Sequence, residues 1–191
     1  MRRRVGGFTL IELLVVVAII AMLISILVPA FSRFRVMSKR TACMSNMRSI
    51  SQALQAYLDV NNDYWPYASH MISIEEDPNR RAISDVLANE VRGGREVFKC
   101  PADRIMADPN DLGKTYYERE KTSYEWDVTA LLNGAKRGKD PTEGFVQGVG
   151  GWDRVPLMQD WECFHGGQEK PQSMVVLFAD LSVRPDDYAV K

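Results

Sequence analysis

Apolar residues dominate the start of the chain. From Phe8 to Phe31, Glu12 is the only charged residue. About 20 apolar residues, at a rise of about 1.5 Å each, are enough for a helix to cross a bilayer. The pattern therefore predicts a membrane-spanning helix over residues 8–31. Pro29 lies near its end and lacks an N–H group, so we expect a kink there.

After this run, apolar residues recur every three or four positions instead of continuously. They would lie on one face of a helix and include Cys43, Met47, Ile50, Leu54 and Tyr57. The pattern ends at Asn61-Asn62-Asp63, because Asn and Asp favour turns. We therefore predict that residues 32–62 continue the first helix as an amphipathic helix whose apolar face packs on a soluble domain.

The rest of the chain shows shorter patterns that predict a globular domain. Residues 83–91 have helical spacing, and residues 97–101 read as a short strand that enters a turn. The glycine-rich residues 133–151 predict a long loop. The clearest strand covers residues 174–179, and residues 181–183 can pair with it as a hairpin. The expected fold class is α+β, with a long amino-terminal helix packed on a small carboxyl-terminal domain that contains an antiparallel sheet.

The charge of the chain and its distribution limit the function and the topology. The 191 residues carry a formal net charge of −1, which gives no basis for nucleic-acid binding. Basic residues lie on both sides of the apolar run, at positions 2–4 and 33–40. Because the first segment usually sets the orientation, we expect a single pass through the inner membrane with the amino terminus in the cytoplasm. Residues 63–191 would then form a domain in the periplasm or outside the cell.

Glu12 and the preceding Gly6-Gly7 pair are not explained by a plain membrane anchor. A carboxylate near the centre of a membrane helix costs about 2.5–3.5 kcal/mol, and such an acid usually has a partner. A secretory signal has a shorter apolar core that ends at small residues, which this run lacks. The stretch from Gly7 to Leu14 instead resembles the cleavage site of type IV prepilins and type II secretion pseudopilins.

This resemblance implies how the chain is processed and assembled. Residues 1–7 would be a leader that prepilin peptidase removes by cutting after Gly7, and the new terminal residue, Phe8, would be N-methylated. Glu12 would be the glutamate at the fifth mature position, and Pro29 would be the helix-kinking proline. The implied partners are copies of this chain or other pilins, the peptidase, and an assembly platform in the inner membrane.

The cleaved chain would have an electrostatic reason to polymerise in one register. Cleavage creates a cationic amine at Phe8, and staggered helices can bring that amine beside Glu12 of a neighbour. Each charge then has the opposite charge that it needs in an apolar environment. Glu12 would fix the stagger of the helices, as one buried polar group does in a coiled coil.

Later segments carry a second resemblance. In order along the chain, they are Cys43–Arg48, Phe98–Asp103, Ser123-Tyr124, His165–Gly167 and Val176–Asp180. They are similar to segments of the large pseudopilin-like families of Planctomycetes and related bacteria. The chain departs from that pattern after Asp180, where Leu181-Ser182 replaces the usual Gly-His, so no role is carried over for that histidine.

Three cysteines lie in the part of the chain expected outside the cytoplasm, where disulfides persist. They allow one bond and one free thiol. Cys43 lies on the apolar helix face, and Cys100 lies between a strand-like segment and Pro101. We favour the pairing of Cys43 with Cys100, and the pairing of Cys100 with Cys163 is the alternative.

The residues that could bind a metal are Asp153, Asp160, His165 and Asp180. Their spacing fits no zinc motif, whereas calcium prefers oxygen ligands, and some secretion pseudopilins hold calcium in a carboxyl-terminal loop. Alternatively, Asp180 only caps the turn after the strand. No nucleophile–base pair or oxyanion motif is legible, so we expect neither an enzyme nor a required cofactor.

The function expected from these features is that of a structural subunit of a type IV-like pilus or a type II secretion pseudopilus. The subunit would polymerise through its amino-terminal helix. A membrane-anchored binding module at the cell surface that uses the same processed anchor is the alternative. Filament assembly requires Glu12 and cleavage before Phe8, whereas a tethered module requires only the anchor.

Overall fold

The structure is a computed structural model. It describes residues 10–105, 113–126, 131–138, 142–161, 165 and 174–185. The chain divides into two compact units, Met1–Met37 and Ser38–Lys191. A long apolar helix begins in the first unit, and the second unit contains a four-stranded antiparallel sheet, so the predicted α+β class is confirmed.

Helix α1 covers Leu10–Val60, a length of 51 residues. Its segment Leu10–Val28 has a mean hydropathy of 3.1 and is long and apolar enough to cross a membrane, and none of it is buried. Helical backbone continues through Pro29 into the predicted amphipathic part. The predicted single helix is therefore observed from Leu10 onward, and the kink at Pro29 stays a prediction.

The second part of α1 buries one face, as its apolar spacing predicts. The buried side chains on this face are Cys43, Met47, Ile50, Ala53, Leu54 and Leu58. Tyr57, expected on the same face, is partly buried and packs at the edge of this cluster. The helix ends where Asn61 donates its backbone and side-chain N–H groups to Tyr57 O. Asn62 and Asp63 then take left-handed conformations, with φ of 55° and 62°.

Short elements follow α1 in the second unit. The helices are α2 (Ile83–Val86), α3 (Tyr116–Glu120) and α4 (Thr142–Val149). The strands are β1 (Ala68–Ser69), β2 (Arg81–Ala82), β3 (Tyr124–Trp126), β4 (Pro156–Asp160), β5 (Val175–Phe178) and β6 (Val183–Pro185). Single 3₁₀ turns cover Ile72–Ile74, Gly94–Phe98 and Trp152–Arg154. Strands β1 and β2 form a small parallel pair.

The main sheet has the order β3-β4-β5-β6, and all of its neighbours are antiparallel. Tyr124 pairs with Asp160 across β3 and β4, and Leu177 pairs with Met158 on one side and Val183 on the other. The four residues of β5 are all buried, which explains their continuous apolar run. The predicted strand and hairpin near residues 174–183 are therefore confirmed.

The core of the second unit lies between the apolar face of α1 and this sheet. One cluster of buried side chains contains residues of α1, such as Leu54, together with Trp126, Leu157 and Leu177 of the sheet. Ser51 Oγ also donates a hydrogen bond to Leu181 O at 2.8 Å, which ties α1 to the turn between β5 and β6.

Three predictions for shorter segments are wrong in type or length. The segment predicted as a strand, residues 97–101, contains no strand: Gly94–Phe98 form a 3₁₀ turn, which Gly93 enters with a φ of 100°, and the buried Phe98 ends it. The predicted loop over residues 133–151 contains α4, whose Val146 is buried. The helix predicted over residues 83–91 is only α2, and turns replace its second half.

Candidate functional site

The amino-terminal part of α1 presents an exposed apolar surface. Large apolar side chains along Leu10–Val28 are about half exposed or more, such as Leu10 at 80% and Ile11 at 73%. Glu12 lies in the first described turn of this helix. Gly7 and Phe8, the predicted processing residues, lie outside the described residues. A continuous exposed apolar surface of this size is typical of a segment that contacts lipid or other protein chains.

A disulfide joins α1 to the segment that follows the 3₁₀ turn Gly94–Phe98. Cys43 and Cys100 are 57 residues apart in sequence, and their sulfurs are bonded at 1.99 Å. Both residues are buried. Asn46, one helical turn after Cys43, donates to Lys99 O at 2.9 Å. The bond is the pairing that the sequence favours, and the alternative partner, Cys163, lies outside the described residues.

Asp103 fixes the segment that carries Cys100, a role that the sequence analysis missed. Its Oδ2 accepts hydrogen bonds from Ser123 Oγ at 2.7 Å and from Tyr117 N at 2.9 Å. Ser123 Oγ in turn accepts from Cys100 N at 3.0 Å. The carboxylate therefore connects the cysteine turn, the start of α3 and the residue before β3. The sequence did contain a signal for this role, because Asp103 and Ser123 both lie in segments that carry the second resemblance.

Asp160 and His165 lie against this disulfide. His165 Nε2 is 3.5 Å from Asp160 Oδ2 and 3.6 Å from Cys100 Sγ. Both residues are buried, and Asp160 Oδ2 accepts from Val175 N at 2.7 Å. Burial raises the pKa of Asp160 to about 8 and lowers the pKa of His165 to about 4. Burial therefore favours the neutral form of both groups.

The four predicted metal ligands divide into a buried pair and two exposed residues. Asp160 and His165 belong to a group of ligand atoms that all lie within 4.8 Å of one another, together with Cys43 and Cys100. Asp153 and Asp180 are outside this group and exposed. Asp180 Oδ1 accepts from Ser182 N and Ser182 Oγ at 2.9 and 2.6 Å. This is the turn cap that the sequence analysis gave as the alternative role of Asp180, and calcium binding stays a prediction.

Comparisons with known proteins agree with the geometry of the amino-terminal segment. Residues 2–28 match the model of the prokaryotic N-terminal methylation motif. The chain is 35% identical, over 108 residues, to the type IV major pilin protein PilA of Myxococcus xanthus (strain DK1622). This match covers 55% of the chain and 49% of the relative, so the chain spans about half the length of that protein. No solved structure matches the chain.

The motif match coincides with the exposed apolar segment of the structure. The motif match contains Glu12, and it ends at Val28 together with the exposed apolar segment of α1. The resemblance to the Planctomycetes-type families has no counterpart in these comparisons and stays a prediction. The chain therefore carries a prokaryotic N-terminal methylation motif and is similar, over about half of its length, to a type IV major pilin.

Proposed function

We propose that this chain is a structural subunit of a pilus or pseudopilus, matured by prepilin peptidase and polymerised through α1. The observation that carries the proposal is the exposed apolar segment Leu10–Val28, which contains Glu12 and lies within the methylation motif. The second unit has a core of its own, so this segment is available for lipid and for other subunits.

The proposed assembly begins with the chain in the inner membrane. Arginines at positions 2–4 hold the amino end in the cytoplasm, where they also attract anionic lipid headgroups. The peptidase hydrolyses the Gly7–Phe8 bond, and the new amine at Phe8 is methylated. The apolar helix then leaves the lipid for the centre of a filament, and both environments exclude water from its side chains.

Glu12 gives the assembly its register in this proposal. In lipid or in a filament, its carboxylate is costly without an opposite charge. The cationic amine of Phe8 on a neighbouring, staggered subunit supplies that charge. Because the two groups are close to each other in sequence, one constant stagger satisfies every pair along the filament except at its end.

The experiment that tests the proposal replaces Glu12 with glutamine in the native host. Glu12→Gln keeps the size of the side chain and removes its charge. The variant should insert into the membrane as the wild type does. The amount of the chain in sheared filaments should fall at least about tenfold. A tenfold fall corresponds to a loss of about 1.4 kcal/mol in the free energy of association.

The matched control is Glu76→Gln, an equal change at an exposed position of the second unit. It should leave both membrane insertion and filament yield unchanged. If Glu12→Gln yields as many filaments as the wild type, the charge pairing is wrong. If the wild-type chain is processed but never found in filaments, the tethered binding module becomes the better explanation.

A further inference from the structure

Four ligand-bearing side chains meet at one buried point of the second unit. Cys43 comes from α1, Cys100 from the turn after residues 94–98, Asp160 from the end of β4, and His165 from the segment after it. All four are buried, with exposed fractions of 5% or less. Their sulfur, carboxylate and imidazole ligand atoms lie within 4.8 Å of one another. Two sulfurs, one nitrogen and one oxygen form a ligand set that suits Zn²⁺.

Two distances within this group match those between the ligand atoms of a zinc site. A tetrahedral Zn²⁺ with bonds of about 2.0–2.3 Å separates its ligand atoms by about 3.4–3.8 Å. His165 Nε2 is 3.6 Å from Cys100 Sγ and 3.5 Å from Asp160 Oδ2. The nitrogen–oxygen distance is long for a hydrogen bond, the nitrogen–sulfur distance is compatible with one, and both match edges of such a tetrahedron.

Two buried polar atoms of the group also lack partners. Asp160 Oδ1 and His165 Nδ1 have no hydrogen-bond partner in the part of the chain that the structure describes. Buried polar atoms in this state call for an explanation. An ion explains Asp160 Oδ1, the second oxygen of the same carboxylate, but not His165 Nδ1, because Nε2 is the imidazole nitrogen assigned to zinc. Arg40 and Lys39 are close enough to act on the charge state of His165, and Arg40 also acts on Asp160. These cations would offset the negative charge of a site with two thiolates and a carboxylate.

We propose that, in the reduced chain, Cys43, Cys100, Asp160 and His165 form a tetrahedral zinc site. The disulfide must first be cleaved by a dithiol reductant, which transfers two electrons and becomes a disulfide itself. Cys43 and Cys100 are released as thiols. Zinc then binds both sulfurs as thiolates and Asp160 as its carboxylate, so the two thiol protons and the carboxyl proton that burial favours are released. The sulfurs separate to about 3.8 Å, the length of the sulfur–sulfur edge of the tetrahedron.

The two states cross-link the same parts of the fold by different bonds. In the oxidised chain the disulfide joins α1 to the Cys100 turn. In the reduced chain the zinc ion makes the same connection and adds β4 and His165 to it. The attachment of α1 to the Cys100 turn is then retained whether the two cysteines are oxidised or reduced.

The test uses the full chain in detergent and cobalt as a spectroscopic substitute for zinc. The chain is reduced with dithiothreitol, freed of reductant without air, and titrated with Co²⁺. We expect one Co²⁺ per chain, with the visible absorption of a tetrahedral ion and a thiolate-to-cobalt charge-transfer band. Zinc should remove both signals. The oxidised chain should show neither signal, and zinc should raise the thermal midpoint of the reduced chain alone.

Matched variants identify the ligands, and circular dichroism checks that each variant is folded. Co²⁺ affinity should fall in Cys43→Ser and His165→Ala by more than the roughly 10- to 100-fold that outer-shell partners contribute. It should not change in Cys163→Ser or His70→Ala, which alter the other cysteine and the other histidine. Asp160→Asn should weaken binding, whereas Asp153→Asn should not.

The proposal is overturned if the reduced wild-type chain shows no thiolate-to-cobalt band. It is also overturned if His165→Ala binds Co²⁺ as tightly as the wild type. If His165→Ala does not fold, the same result for Asp160→Asn overturns it. Loss of the band in Cys163→Ser would show that Cys163 is a ligand, and this would also overturn the proposal.

Discussion

At the scale of single residues, Asp103 determines how the cysteine turn is held. Its carboxylate accepts from Ser123 Oγ and from the backbone N–H groups of Tyr116 and Tyr117 at the start of α3. An acid in this place also interacts favourably with the amino-terminal end of a helix. Removing it leaves several donors without an acceptor in a half-buried place, which is more costly than losing one exposed hydrogen bond.

We therefore expect Asp103→Ala to lower the free energy of unfolding of the second unit by about 1–3 kcal/mol. Denaturant unfolding of the full chain in detergent, followed by tryptophan fluorescence, measures the change. Asp153→Ala is the control, because Asp153 is exposed and should change stability by less than about 0.5 kcal/mol. Equal stabilities of the two variants would show that Asp103 does not hold the turn.

At the scale of elements, α1 has two parts with different surroundings. The segment Leu10–Val28 is exposed on all sides, whereas the part after Ser38 buries one face in the core of the second unit. The sequence distinguishes the two parts because a continuous apolar run changes into a stripe with helical spacing. The structure differs at the end of the stripe, where Leu58 is buried and Tyr57 is only partly so.

The stripe makes a direct prediction for stability. Leu54 has no exposed surface, so Leu54→Ala should lower the free energy of unfolding by about 2–5 kcal/mol through lost burial and a cavity. Leu54→Met, which keeps the volume, should cost less than about 1.5 kcal/mol. Gln52→Ala on the exposed side of the same helix is the control. Thermal and denaturant unfolding measure the stability of the three variants. If Leu54→Ala is as stable as Gln52→Ala, this packing is contradicted.

The elements that could be predicted from sequence are those with a long or strong pattern. Helix α1 and the β5–β6 hairpin have such patterns, so their type and approximate position were correct. The 3₁₀ turn Gly94–Phe98 and helix α4 have no such pattern and could not be predicted. Elements of five and eight residues take their conformation from tertiary contacts. Glycines in residues 133–151 also obscured the apolar positions of α4.

At the scale of the whole molecule, the candidate sites were predictable to different degrees. The proposed processing residues follow from a local motif, which needs no knowledge of the fold. The Cys43–Cys100 pair follows from the helix face and the turn that present the two cysteines. The association of that pair with Asp160 and His165 could not be predicted, because only the packing of α1 against the sheet brings these four residues together.

The account as a whole rests on maturation and assembly through the amino-terminal helix. The measurement that tests it most directly is the intact mass of the chain recovered from filaments sheared from its native host. The account predicts a chain that lacks residues 1–7, begins at Phe8 and carries one added methyl group. A filament fraction without the chain, or a chain that still begins at Met1 in a host with an active prepilin peptidase, would contradict it.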